Sequence, residues 1–134
     1  MYKKGQKVYQ VTGSTGRDAV AWIKEFEVAS WGAKEGTLRR MDNGQMSKTV
    51  VYTSAYNPDG RCNLRGHFSG IYAADKYTRE QIESIALLLA TKARADRIEH
   101  LRECLTRDAG PGYHKSIQGD LDLLLASTPS VMWL

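Results

Sequence analysis

With 134 residues, 42% of them apolar and 25% charged, the chain has the make-up of one ordinary folded domain, long enough to bury a core. Two cysteines are too few for a disulfide framework, and no apolar run approaches the roughly 20 residues of a membrane span. The net charge of +4 is a modest bias, but it is unevenly placed: residues 1–75 hold eleven Lys and Arg against seven Asp and Glu, residues 76–134 eight against eight.

The opening "MYKKGQKVYQ" has charge but no apolar stretch of the secretory kind, so a cytoplasmic location is expected. "KVYQVT" (7–12) is short, β-branched and aromatic and reads as a strand. "GSTGRD" (13–18) is turn chemistry. Its glycines and hydroxyls resemble those of anion-binding turns, but the Walker spacing is missing, so a hairpin loop is the better reading. "AVAWIKEFEVAS" (19–30) alternates, with Phe26 and Val28 on one side and Glu25 and Glu27 on the other, as a half-buried strand requires. "WGAKEG" (31–36) is a second turn.

"TLRRMDNGQMSKTVVY" (37–52) is a hairpin pattern around Asn43-Gly44. A two-residue turn there sets Arg39 across from Lys48, Arg40 across from Ser47 and Met41 across from Met46. A three-residue turn shifts the register by one and sets Arg39 across from Ser47. Directly opposed like charges weaken a hairpin unless an anion or a neighbouring carboxylate, such as Glu25 or Glu27, relieves them.

"NPDGRCNLRGHFSG" (57–70) reads as a long irregular loop. "IYAA" (71–74) is either a fifth short strand or the lead-in to a helix. "TREQ" (78–81) is a capping box opening a long helix from Arg79 to about Arg107, which Gly110-Pro111-Gly112 ends. At 100° per residue, Ile82, Ile85, Ala86 and Leu89 share one face of it and Ile98, Leu101 and Leu105 another. Two packing partners are therefore expected, the sheet near its start and a C-terminal helix near its end, with a homodimer partner able to replace either. The first stripe continues through Ala93, Arg97, His100 and Cys104. A shorter helix is expected over about 114–126, with Ile117, Leu121, Leu124 and Leu125 inward. The apolar tail "STPSVMWL" should dock on the domain or meet a partner.

Chemical constellations are sparse. Cys62, His67, His100 and Cys104 make a possible Cys2His2 zinc set, with His100 and Cys104 one helical turn apart. The ordinary alternative is a buried Cys104 and surface histidines, and no metal is expected. Cys104 with His100, or Cys62 with His67 or His114, lacks an orienting third group, and Glu25 with Glu27 fits an exposed strand face. The expectation is a protein that is not an enzyme and has no cofactor.

The fold class expected is α+β: a small antiparallel sheet or partial, SH3-like barrel over about 5–56, a basic loop over 57–77, then a long helix and a shorter one over 78–134, in a single domain. The expected function is binding of nucleic acid or a nucleoprotein complex. Arg39, Arg40, Lys48, Arg61, Arg65 and His67 would converge on one basic surface, with Tyr52 and Tyr56 placed to stack bases. The alternative is a protein-interaction module anchored by Trp31, Met132 and Trp133, the residue types that hold interfaces. Its size is that of small phage-encoded inhibitors of host machinery, anti-CRISPR proteins among them.

Overall fold

The computed structural model describes residues 2–13, 19–40, 48–52, 61–63 and 69–134, with the backbone alone described for 48–52, 61–63 and 69. Seven strands and two helices occur among them, in the order β1 (Lys7–Gly13), β2 (Val20–Trp31), β3 (Glu35–Arg40), β4 (Lys48–Tyr52), β5 (Arg61–Asn63), β6 (Ser69–Ala73), α1 (Arg79–Leu105), α2 (Pro111–Ala126) and β7 (Ser130–Trp133). The class is α+β. The sheet runs β4-β3-β2-β1-β6-β5 and is not closed into a barrel.

β2 is the spine. Its twelve residues alternate between two buried sets, so it is long enough to take β1 on one edge and share the other edge between two strands. β3 pairs antiparallel with its C-terminal part and β7 pairs parallel with its N-terminal part, Ala21 opposite Val131 and Ile23 opposite Trp133. The tail thus docks on the domain as a strand, held at its ends by Ser130 N–H to the Ala19 carbonyl and Leu134 N–H to the Ile23 carbonyl, both 2.9 Å. The stretch 57–70 is not wholly irregular: Arg61–Asn63 forms β5, and Ile71, Tyr72 and Ala73 of "IYAA" belong to β6. Residues 61–63 lack the β-branched run that marks a strand in sequence, and pairing with β6 supplies the order instead.

The pleat sorts side chains onto two faces. On the helix-covered face, Val11, Ala21, Ile23 and Tyr72 pack with Ile82, Ala86 and Ala90 of α1, with Tyr9, Ile85, Leu89, Val131 and Trp133 partly buried around them. On the opposite face, Val8, Phe26, Val28, Leu38, Ile71 and Ala73 form a second core with Tyr2, and Trp31 packs against it. Each fully buried aliphatic side chain here contributes about 1.5–3 kcal/mol. Trp31 reaches that face because a bulge between Val28 and Ser30 inserts one residue, so that Val28 and Trp31 share a side despite their odd spacing. The Trp31 ring lies over Gly36 and meets the Tyr2 ring edge-on at 4.8 Å.

α1 opens on the capping box. The Gln81 N–H donates to Thr78 Oγ1 and the Thr78 N–H to Gln81 Oε1. Its two apolar faces meet two partners, the sheet at one end and Leu121 and Leu124 of α2 at the other, where Ile98 and Leu101 are buried and Leu105 and Ile117 partly so. α2 begins earlier than the sequence pattern indicates. Gly110, at φ +88°, supplies the turn and Pro111 occupies the first helical position, so the Gly-Pro-Gly run starts this helix as well as separating it from α1. Leu125, expected inward, is exposed, because Leu121 and Leu124 already fill the contact with α1.

Candidate nucleic-acid interface

The hairpin register places Arg39 opposite Lys48, the register of a two-residue turn at Asn43-Gly44; residues 41–47 lie outside the described residues. Arg39 is also the register partner of Glu27, which in turn faces Lys7. A carboxylate residue thus stands in register next to Arg39 on the adjoining strand. Arg39 Nε is buried without a hydrogen-bond partner, so this guanidinium is partly drawn into the protein.

The other expected members of the basic surface do not join that pair. Arg40 alternates to the opposite face, as the partner of Phe26. Arg61 pairs with Tyr72 in β5, at the other margin of the sheet, about 20–25 Å of strand spacings from β4. Arg65, His67 and Tyr56 lie outside the described residues, and Tyr52 is described by its backbone in β4.

A different cationic surface emerges from the registers. Among charged strand residues with described side chains, Glu25, Glu27, Glu35, Lys7 and Arg39 share the helix-covered face. Lys24 and Arg40 lie on the opposite face, with the core of Val8, Phe26, Val28, Leu38, Ile71 and Ala73. Lys24 stands across from Gln10, and Trp22 stands between Thr12 on β1 and Met132 on β7. Trp22, Lys24, Gln10 and Thr12 are half-buried, and Met132 is exposed. Sequence reasoning missed Trp22 and Lys24. The signal was present, because the alternation that separates Phe26 from Glu25 and Glu27 places both with Phe26 when carried four residues back.

The expected protein-interaction anchors divide. Trp31 is engaged with the core, and Trp133 is held on three sides. Its Nε1 donates to Glu83 Oε1 at 2.7 Å, its ring meets Tyr9 edge-on at 5.7 Å, and the Arg79 guanidinium lies 3.9 Å above it while bridging to Glu25. Met132 keeps an exposed side chain.

At the far end of α1, His100 Nε2 lies 3.6 Å from the sulfur of buried Cys104. A hydrogen bond with Cys104, together with some burial, raises the pKa of the Tyr113 phenol above its ordinary value. Cys62 belongs to β5 and His67 lies outside the described residues; among the described residues, no three His, Cys, Asp or Glu side chains are grouped to hold a metal ion. No helix among them is long and apolar enough to cross a membrane. No family model, curated protein or solved structure matches the chain.

Proposed function

We propose that the protein is a non-enzymatic binding module that holds nucleic acid on the side of its sheet opposite α1, at Lys24 and Arg40 beside the second core. One observation carries this: the pleat sends Glu25, Glu27 and Glu35 to the face beneath α1 and leaves Lys24 and Arg40 on the other. A polyanion approaching that face meets cations without meeting the strand carboxylates, and releases counterions as it binds. Gln10 and Thr12 add neutral hydrogen-bonding groups beside them.

The test is affinity for a labelled oligonucleotide as a function of salt. Replacing Lys24 and Arg40 together by Ala should weaken binding and make the plot of log K against log salt shallower by about 1.4–1.8, the value for two lost phosphate contacts. Arg39→Ala should change the slope less, because Arg39 lies on the other face, in register with Glu27. An unchanged slope in the double variant rejects the surface.

A protein partner is the second reading. It is favoured by leucines left in water on both helices, Leu88 at 69% and Leu123 at 55% exposure. Such an interaction would persist at high salt and be lost on Leu88→Asp with Leu123→Asp.

A further inference from the structure

We propose that two copies of this chain associate through the outer faces of their α2 helices, packed antiparallel. Nothing in this depends on Lys24 and Arg40. The inner face of α2 is used within the chain, where Leu121 and Leu124 meet α1. Its outer face carries a second stripe. Gly112, Ser116, Gly119, Leu123 and Ala126 follow one another at alternating steps of four and three, the spacing of a coiled-coil seam. At 100° per residue this stripe lies about 150° round the helix from Leu121 and Leu124. All five residues are exposed, Leu123 at 55%, and they line a shallow trough of about 750 Å³ flanked by Lys115 and Asp122.

Shape and charge together say what fits this face. Glycine inside a helix is a poor choice for the helix itself. A Cβ at Gly112 or Gly119 would meet nothing within 4 Å, so packing among the described residues requires neither. What they leave is a pair of sockets, beside an exposed leucine that is a knob of the right kind. In an antiparallel pair with Leu123 seated over Gly112 of the second copy, Ser116 meets Gly119 and Lys115 stands beside Asp122, and the two-fold axis makes each contact twice. Asp120, on the other flank, stands across from Tyr113, so this register opposes no like charges. Asp122 accepts from Gln118 Nε2 at 2.8 Å within the helix, and a carboxylate has acceptor capacity to spare for the lysine. A parallel pair would instead stack Leu123 on Leu123 and Gly119 on Gly119, a crowded layer next to an empty one, with the helix dipoles aligned. Exposed ion pairs add little affinity and one helix pair is at the small end of specific interfaces. The charges therefore set the orientation, and the dimer is a weak one.

Sedimentation equilibrium of the full chain over about 5–500 µM should show a mass rising from 15.0 kDa toward twice that value. Lys115→Asp and Asp122→Lys should each weaken self-association by about tenfold or more, because each sets like charges together. An equimolar mixture of the two variants should recover it, because both cross pairs are then attractive. Gly112→Leu should weaken it similarly by filling the socket, with a urea midpoint no lower than that of the unsubstituted protein, since a side chain there has open space. A chain that stays monomeric at the highest concentration overturns the proposal. So does self-association unchanged in Gly112→Leu, which would put the contact elsewhere. Dimerisation that survives Asp122→Lys but not Lys115→Asp would mean a parallel pair with Lys115 beside Asp120, and a mixture that fails to recover association rejects the antiparallel register.

Discussion

At Gly36 the sheet has no room for a side chain, because an added Cβ would overlap the six-membered ring of Trp31. Gly36→Ala should push that ring away from Tyr2 and cost about 1–3 kcal/mol, read as a lower urea midpoint at unchanged slope. Gly119 makes the opposite case. It sits inside α2, and a Cβ there would meet nothing within 4 Å. Gly119→Ala should therefore stabilise the protein by about 1 kcal/mol and raise the melting temperature by about 3–5 °C. Both residues are plain glycines in the sequence, and nothing local separates them. The sign depends on what stands above each one, and for Gly36 that is a ring carried by the neighbouring strand across a bulge. The same bulge explains why the side taken by Trp31 was not legible: strict alternation from Glu25 and Glu27 would send it to the helix-covered face. Alternation did suffice for Phe26, Val28, Glu25 and Glu27, where β2 is regular.

Among the elements, β7 has the least obvious origin and a large share in closing the core. Val131 and Trp133 are the side chains it contributes to the core beneath α1, and the interactions of Trp133 with Glu83 and Arg79 tie it to the helix. Trp133→Ala should cost about 2–4 kcal/mol, somewhat below a fully buried tryptophan because the ring is only partly covered. Arg79→Ala should cost no more than about 1 kcal/mol, since both it and Glu25 are exposed and their ion pair is screened. Equal losses in the two variants, measured by denaturant titration, would mean that the guanidinium rather than the ring closes the tail. The sequence showed an apolar tail that would not stay in water, and the alternation of Val131 and Trp133 with Met132 and Leu134 is that of a strand. Its partner was not legible, because parallel pairing with residues 20–23 is separated by more than a hundred positions and no turn motif records it. The helices were far more readable. The capping box, the two apolar faces of α1 and the glycine-proline break are all local signals, and only the early start of α2 and the outward Leu125 depart from them.

For the molecule as a whole, α1 is the beam that joins two cores, and its ends need not be equally stable. Leu101→Ala should cost about 2–5 kcal/mol, given the side chain's 1% exposure. Hydrogen exchange should show where: amides of 96–126 should exchange faster, with those of β1 and β2 little changed. Uniform acceleration would instead mean that both cores unfold as one unit. The sorting of charge by the pleat has a consequence at this scale too. Among the described strand side chains, the helix-covered face holds three carboxylates with Lys7 and Arg39 and the other face holds Lys24 and Arg40, so these strands contribute a charge asymmetry through the thickness of the sheet. In the field of a distant polyanion such a body feels a torque and turns before it touches. Encounters would then begin already oriented, and the speed of capture, more than the lifetime of the complex, would decline as added ions shorten the reach of that field.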